Sequence, residues 1–322
     1  MTNFGIDVGH GATKGRASTG QQLIFPSLIC PAPHRVDLGD YNRSDVVAID
    51  DDPYLVGDAA RRFAAPLWSR EKAGDPDTLR LHLVAAAQLG ANGPVRLATG
   101  LPLSWYGSQR QAFQRALQGQ EAKVTLPGRR PVRLWFETVI VLPQGVAAAS
   151  LVLADASYEP GPYLVCDIGE RTTDFIVVTK REDAPLDFDN TFAGSLEIGM
   201  HAVSAGLAAV LTEQYGVPIK AAQVEREDTI VIRRERIPLT DERRRQRDIT
   251  ARQIARGLVE ALDSQIEQLL GIVAVGGGSS LLADTLSGVT EPPEAQFANV
   301  RAYLAAVNAL SVSESGRISG MR

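Results

Sequence analysis

The stretch FGIDVGHGATKG runs from Phe4 to Gly15 and places a glycine-rich turn directly after an apolar strand. Two interpretations are open. A hairpin that needs backbone angles with φ > 0 would by itself account for Gly9 and Gly11. A turn with a functional role would also explain why Asp7 and Lys14 lie within the same few residues. The rest of the chain has to separate these interpretations.

An internal repeat of this stretch favours the functional interpretation. The octapeptide IDVGHGAT, which begins at Ile6, aligns with CDIGERTT, which begins at Cys166. The alignment places Asp7 over Asp167, at the end of a strand in each half of the chain. A turn needed for folding alone would not have to repeat this aspartate. Two such turns offer backbone N–H groups to phosphate oxygens and carboxylates to the waters of Mg²⁺, so the duplication predicts a phosphate clamp.

The segment VAVGGGSSLL, from Val273 to Leu282, is a third candidate element of this site. Its glycines let the backbone lie against a flat base or sugar. They precede a helix predicted to begin at Ser279 or Ser280, whose N-terminus would add a positive dipole end. A flexible connection is the alternative. The chain contains neither G-x-x-x-x-G-K-[ST] nor G-x-G-x-x-G, which argues against P-loop and Rossmann sites.

The composition excludes several other classes of protein. The 322 residues predict two domains, and the net charge of −5 argues against a whole-protein electrostatic grip on nucleic acid. Cys30 and Cys166 are the two cysteines, and Cys166 lies in an apolar run that favours a buried hydrophobic role. The four histidines lack metal-ligand spacing. No signal peptide or membrane span is predicted, which favours a cytoplasmic protein.

Both halves of the chain show the same order of elements, in which a strand, a tight turn and a second strand come first. We expect one domain over 1–148 with 297–322, carrying a small insertion at about 26–58. The second domain is expected over 149–296, with a charged insertion at about 217–250. Helices are predicted at 78–89, 108–119, 144–156, 198–214, 251–270 and from 279 onward, and a helix near 297–310 is expected to pack against the first half.

These motifs resemble the ordered elements of the actin-like ATPase superfamily. The superfamily has five elements in a fixed order, called phosphate 1, connect 1, phosphate 2, connect 2 and adenosine. The segments DVGHGATK and DIGERTTD correspond to phosphate 1 and phosphate 2, PQGVAAA to connect 1 and VAVGGGSSLL to adenosine. The segment LEIGMHAV is a weaker match to connect 2. The stretches ATGLPLSWYGSQRQAF and FANVRAYLAAV look like those of the ParM/StbA group of plasmid-segregation actins and their archaeal relatives. The implied fold is α/β, with two duplicated, ribonuclease H-like domains and a nucleotide cleft.

The resemblance also implies roles for individual residues. Asp7 and Asp167 would orient Mg²⁺ through its waters, and Lys14 would contact the β- and γ-phosphates of ATP. Gln144 would position the attacking water, because an amide both donates and accepts hydrogen bonds. With the two aspartates, Gln144 forms the predicted catalytic set. The residues assigned to nucleotide binding are Gly9, His10, Gly11, Ala12, Thr13, Lys14, Gly169, Glu170, Arg171, Thr172, Gly276, Gly277, Gly278 and Ser279.

Some of these residues have simpler interpretations. Gln144 could be only a polar residue at the start of a helix. The side chain of His10 is expected to face solvent in its loop rather than to take part in catalysis. Glu170 and Arg171 stand where the family usually has small residues. This indicates either a turn that tolerates larger side chains or altered hydrolysis. The arginine cluster from Arg233 to Arg256 is interpreted as a solvated face, with an adaptor or nucleic-acid contact as the alternative.

The implied function is an ATPase that polymerises with copies of itself into filaments. Its expected role is to move plasmid DNA through a DNA-binding adaptor protein, without strong direct binding to nucleic acid and without a membrane. The alternatives are a small-molecule kinase and an ATP-binding regulatory protein of the same superfamily.

Overall fold

The computed structural model describes residues 1–34, 45–283 and 285–319, with side chains up to residue 310. Parts of the predicted insertion at 26–58 and of the terminal segment at 297–322 therefore lie outside the described residues. The chain divides into two compact units. Unit 1 is Met1–Ala147 with Asn299–Arg322, and unit 2 is Ala148–Ala298.

Unit 1 is built on a mixed sheet. Its strands are β1 (Thr2–Val8), β2 (Ala12–Ala17), β3 (Gln22–Pro26), β4 (Ile29–Pro31), β5 (Val46–Ile49), β6 (Asp52–Val56), β7 (Gly93–Leu101), β8 (Glu121–Thr125) and β9 (Val132–Pro143). Over the described residues their order is β3-β2-β1-β7-β9-β8-β5-β6-β4. Strands β1, β7 and β9 are parallel, so their carboxyl ends meet at one edge. The predicted insertion contributes β4, β5 and β6 to this sheet.

Unit 2 repeats the first part of this topology. Its strands are β10 (Gly161–Ile168), β11 (Thr173–Lys180), β12 (Asp187–Leu196), β13 (Thr229–Ile232), β14 (Glu235–Pro238), β15 (Gly271–Val275) and β16 (Val289–Thr290). The order β12-β11-β10-β15-β16 matches β3-β2-β1-β7-β9 in unit 1. Strands β10 and β15 are parallel, so their carboxyl ends also share an edge. The hairpin of β13 and β14 stands apart from this sheet, within the predicted charged insertion.

The helices differ from the predictions mainly at their ends. They are α1 (Pro76–Gln88), α2 (Leu103–Leu117), α3 (Val146–Val152), α4 (His201–Tyr215), α5 (Ala221–Val224), α6 (Thr240–Leu262) and α7 (Ala298–Ser319). The prediction that a helix begins at Ser279 is wrong, because Ser279–Leu281 form only a short 3-10 turn. The prediction of 251–270 placed the start of α6 too late and its end too far along the chain. Within the described residues, no helix combines the length and apolar character needed to cross a bilayer.

The C-terminal helix packs on the sheet of unit 1, as predicted. A Cβ atom at Gly5 in β1 would overlap the carbonyl oxygen of Val300, and one at Gly100 in β7 would overlap the hydroxyl of Tyr303. Tyr303 is fully buried. Glycine at these two positions therefore lets α7 approach the backbone of β1 and β7 closely.

Helix α1 carries a histidine whose ring is buried in the core of unit 1. The ring of His82 is fully buried, with Nδ1 2.8 Å from the Thr78 carbonyl oxygen and Nε2 3.0 Å from the Thr99 hydroxyl. Burial lowers the pKa of His82 to about 4; the bond to Thr78 opposes this shift and the charge of Lys72 adds to it. The folded protein therefore holds the neutral ring.

We expect this histidine to weaken the fold as the pH falls. The unfolded chain takes up the proton near pH 6.5 and the folded chain only near pH 4, so stability is full above pH 6.5 and decreases below it. Between pH 7 and pH 5 the loss from this residue is about 2 kcal/mol. Urea unfolding at both pH values measures it. A pH dependence that stays the same in His82→Gln would assign the acid sensitivity to other groups.

Candidate functional site

The turns that follow β1 and β10 have the same backbone geometry. In unit 1, the amide of Gly9 donates to the carbonyl oxygen of Ala12 at 3.1 Å. In unit 2, the amide of Gly169 donates to the carbonyl oxygen of Thr172 at 2.9 Å. The repeat seen in the sequence therefore corresponds to one local structure formed twice.

A buried threonine anchors each of these turns at its far end. Thr13 shares a hydrogen bond of 2.9 Å with the hydroxyl of Ser27, and Thr173 donates to the carbonyl oxygen of Ile198 at 2.9 Å. Both threonines are fully buried. Each turn is thereby tied to the segment that follows the third strand of its unit, β3 or β12, which limits its freedom to move.

In unit 1, Asp7 and Gln144 meet at the edge where the parallel strands end. Asp7 is 6% exposed, and its Oδ1 accepts a hydrogen bond of 2.8 Å from Nε2 of Gln144. The backbone N–H of Gln144 donates to the Leu101 carbonyl oxygen at 2.8 Å, and the next residue, Gly145, has φ +72°. Gln144 thus lies in a tight turn between β9 and α3. Lys14 stands directly opposite Asp7 on β2.

In unit 2, the consecutive glycines lie beside Asp167. Gly276 has φ +88°, and a Cβ atom there would overlap Oδ1 of Asp167. A Cβ atom at Gly278 would overlap Ile168. Packing therefore requires glycine at these two positions, whereas Gly277 is exposed and leaves its backbone open. These contacts argue against a flexible connection, because the segment is packed against β10.

The side chain of Ser279 is already engaged within unit 2. Its hydroxyl donates to Oε1 of Glu291 at 2.7 Å, and the residue is 5% exposed. Because only a 3-10 turn follows, the expected dipole of an α-helix is missing at this position. The glycine backbone, rather than a helix end, is what this segment offers to a ligand.

The two strand ends differ in the residue opposite the aspartate. Asp7 faces Lys14, whereas Asp167 faces Asp174. Asp174 is 3% exposed and accepts a hydrogen bond from the hydroxyl of Ser195. Asp174 therefore has a partner on the neighbouring strand β12.

Glu170 and Arg171 turn toward other side chains of unit 2. The guanidinium Nε of Arg171 lies 3.6 Å from Oε2 of Glu197, and Oε1 of Glu170 lies 3.8 Å from Nδ1 of His201. Burial raises the pKa of Glu170 to about 7; the charge of Glu225 adds to this rise and that of Arg226 opposes it. Near neutral pH the Glu170 carboxyl is therefore partly protonated, which reduces its repulsion of anions.

The weakest sequence match, LEIGMHAV, lies against this turn. The amide of Met200 donates to the carbonyl oxygen of Gly169 at 3.0 Å, and that of His201 donates to Glu170 at 2.8 Å. A Cβ atom at Gly199 would overlap the carbonyl oxygen of Gly169. The start of α4 is therefore fixed to the β10–β11 turn.

The prediction that the His10 side chain faces solvent is wrong. Its Nδ1 lies 2.5 Å from the carbonyl oxygen of Leu67, and its ring stacks on Trp68 at 6.2 Å and meets Trp105 edge-on at 5.7 Å. The two tryptophans come from distant segments, so no local pattern indicates this packing. Through His10, the β1–β2 turn is attached to the segment before α1 and to α2.

Several arginines of the charged cluster make contacts within unit 2. Two hydrogen bonds join Arg243 to the carbonyl oxygens of Val224 and Glu227. Arg247 donates to the Ser280 hydroxyl at 3.0 Å, next to the glycine segment, and Arg256 pairs with Glu260 at 2.7 Å. Part of the positive charge in this cluster is therefore used for internal contacts.

The carboxylates at the strand ends fit hydrated Mg²⁺, which prefers oxygen ligands and keeps several waters. Asp7 and Asp167 are both less than 10% exposed and lie next to the β1–β2 and β10–β11 turns. In the part of the chain that the structure describes, no group of three or more His, Cys, Asp or Glu side chains converges on one point. A metal at either strand end would therefore need further ligands, such as water and phosphate oxygens.

The repeated strand order and turns define an actin-like protein, and comparison with known proteins supports this class. Residues 5–146 match the N-terminal domain of the actin-like proteins, and residues 165–288 match the C-terminal domain of the archaeal MreB-like actin homologues. The chain belongs to the actin-like superfamily and has its two-domain α/β fold.

Relatives with similar sequences and structures cover almost the whole chain. An archaeal actin homologue from Thermoplasma acidophilum is 26% identical over 94% of this chain and 98% of its own length. The 15-stranded ParM filament from Clostridium botulinum has a TM-score of 0.83 at 21% identity, covering 96% of this chain and 99% of the other. An archaeal actin homologue in complex with ADP has a TM-score of 0.77 at 23% identity, covering 96% and 100%. At such identities the structural similarities establish the fold alone.

Proposed function

We propose that this protein is an actin-like ATPase that binds Mg-ATP and assembles into cytoplasmic filaments. The observation that carries the proposal is the pair of turns with the same hydrogen bond, each following a strand whose last residue but one is a buried aspartate. Successive backbone N–H groups of a turn can bind phosphate oxygens. Duplication of the turn on two units fits a ligand with several phosphates.

Individual residues take separate roles in this proposal. The turn backbones at Gly9 to Thr13 and at Gly169 to Thr172 bind phosphate oxygens, Lys14 neutralises their charge, and Gly276 to Ser279 lies against the nucleoside. Mg²⁺ held through its waters by Asp7 and Asp167 would stabilise negative charge on the transferred phosphoryl group. Gln144 orients the attacking water, while its bond to Asp7 fixes the direction of its amide.

The filament role rests on similarity as well as on chemistry. One similar structure is a filament of ParM, and another is an actin homologue with bound ADP. We propose that nucleotide binding selects the conformation that self-associates, and that an adaptor protein connects the filament to plasmid DNA. The exposed arginines of α6 are a candidate surface for that adaptor.

Purified protein given Mg-ATP should bind the nucleotide and scatter light above a critical concentration. ATP binding drives assembly in this proposal because only the nucleotide-bound conformation forms subunit contacts. Calorimetry, phosphate release and pelleting measure the three steps on one preparation, with EDTA as the control. A protein that binds ATP but stays monomeric with a non-hydrolysable analogue would contradict the filament role. Hydrolysis that requires an added sugar or small acid would favour a kinase.

A further inference from the structure

A lysine that belongs to none of the sequence motifs is buried beside the β1–β2 turn. Lys72 is 4% exposed, and its Nζ donates to the carbonyl oxygen of Val8 at 2.7 Å. Val8 is the last residue of β1 and follows Asp7 directly. The ammonium group therefore lies where the strand gives way to the proposed phosphate-binding turn.

The ammonium group of Lys72 is incompletely satisfied by the described residues. It has three N–H donors, of which the bond to Val8 uses one. Burial lowers the pKa of Lys72 to about 8, while the charges of Asp7 and Asp75 act in the opposite direction. The group therefore remains mainly charged at pH 7. A buried charge with spare donors is unfavourable unless an anion completes its surroundings.

The backbone around Lys72 is held in place from helix α2. Oε1 of Gln109 accepts a hydrogen bond of 3.2 Å from the backbone N–H of Lys72, and Nε2 of Gln109 donates to the carbonyl oxygen of Arg70 at 2.7 Å. His10 adds the contact between the turn and Leu67. The positive charge is therefore positioned in advance, at a fixed place relative to the turn.

We propose that Lys72 is a phosphate-binding residue, whose ammonium group donates to a phosphate oxygen of the bound nucleotide. This inference rests on the proposed function, since it adds a ligand to the same site. Its location distinguishes it from Lys14, which lies on β2 directly after the repeated octapeptide. Lys72 comes instead from the segment before α1 and has no counterpart in the sequence repeat.

The competing role is structural, with Lys72 only tying its segment to the end of β1. The two roles predict different behaviour when the charge is removed. A phosphate ligand contributes to the binding of ATP but not of adenosine, which lacks phosphate. A purely structural tie weakens ATP binding only where its loss displaces the turn, so the loss of affinity then comes with a lower melting temperature and is relieved by a neutral hydrogen-bond donor in place of the ammonium group.

The test is calorimetry of ATP and adenosine with Lys72→Met, Lys72→Gln and the unchanged protein. We expect both variants to lose roughly 10- to 100-fold in ATP affinity, as for loss of a charged hydrogen bond, with adenosine affinity within about twofold. Lys72→Met keeps the length of the stem, and its melting temperature should not fall, since removing a buried charge offsets the lost bond. Lys72→Gln retains a donor for Val8. The matched control is Lys123→Met, which removes a lysine whose side chain is 45% exposed and pairs with Asp51 in the same unit.

The outcomes separate the two proposals. If the unchanged protein binds neither ATP nor adenosine, the proposed function fails, and the proposed role of Lys72 in phosphate binding fails with it. If the unchanged protein binds ATP and both variants bind it equally well, the proposed function stands and the role of Lys72 is refuted. Weaker ATP binding and a lower melting temperature in Lys72→Met, with normal ATP affinity in Lys72→Gln, would make Lys72 structural.

Discussion

Replacement of Asp7 by asparagine is expected to reduce ATP turnover roughly 100-fold or more, because it removes a negative charge from the proposed magnesium position. Asparagine keeps the size of the side chain and an oxygen that can accept the bond from Gln144. The fold should therefore persist. An alanine would also leave the amide of Gln144 without its acceptor, which makes asparagine the sharper substitution.

The same change at Asp167 should have an effect of similar size. Asp167 occupies the equivalent strand end in unit 2 and is 8% exposed. Asp174→Asn provides the matched control, since Asp174 lies directly opposite on β11 and bonds to Ser195. We expect this control to lower the melting temperature but to leave the magnesium dependence of ATP binding intact. Titration of Mg²⁺ at fixed ATP measures that dependence, and identical curves for all variants would remove the metal role of both aspartates.

The repeated turns could be predicted from the sequence because their determinants are local. Asp, Gly and Thr recur at fixed spacing from Asp7 to Thr13 and from Asp167 to Thr173, and the structure gives both stretches the same hydrogen bond. The actin-like fold, which the resemblance of the ordered motifs to that superfamily implied, is confirmed. Burial of Cys166 was equally predictable, since its neighbours in the strand are apolar.

Other parts of the site depend on contacts between distant segments. Lys72 lies in the charged run SREKAGD, which looks like a solvent-exposed loop, and only the folded chain brings it to Val8. His10 packs against Trp68 and Trp105, which are 58 and 95 positions away in the sequence. Neither periodicity nor composition reports such contacts, so the sequence offered no signal for them.

The misplaced helix ends have local physical causes. Thr240, Asp241 and Glu242 are suitable for a helix start, because acidic residues interact favourably with the N-terminal dipole, and α6 begins there. The dense arginines after them had favoured a separate charged insertion. After Gly278, by contrast, no side chain caps the turn, and Ser279 bonds to Glu291, so only a 3-10 turn forms.

Gln144→Ala should leave ATP binding and assembly near those of the unchanged protein but slow phosphate release. Gln144 follows Pro143, the last residue of β9, and its amide is oriented by Asp7 at 2.8 Å. If the amide positions the attacking water, its loss should slow hydrolysis by roughly 10- to 1,000-fold. Filaments of the variant should therefore persist after ATP addition, while filaments of the unchanged protein decay.

The bond to Asp7 means that this variant should also lose some stability. Loss of one hydrogen bond to a carboxylate costs roughly 1.5–3 kcal/mol, whatever the role of Gln144 in hydrolysis. Gln118→Ala is the matched control, because both ends of that amide bond to the backbone, at Glu137 and Val139. Phosphate release per folded molecule distinguishes a role of Gln144 in hydrolysis from its contribution to stability. A Gln144 variant that is destabilised to a similar degree as the control, yet hydrolyses ATP at the normal rate, would make Gln144 a structural residue and leave the attacking water without a partner.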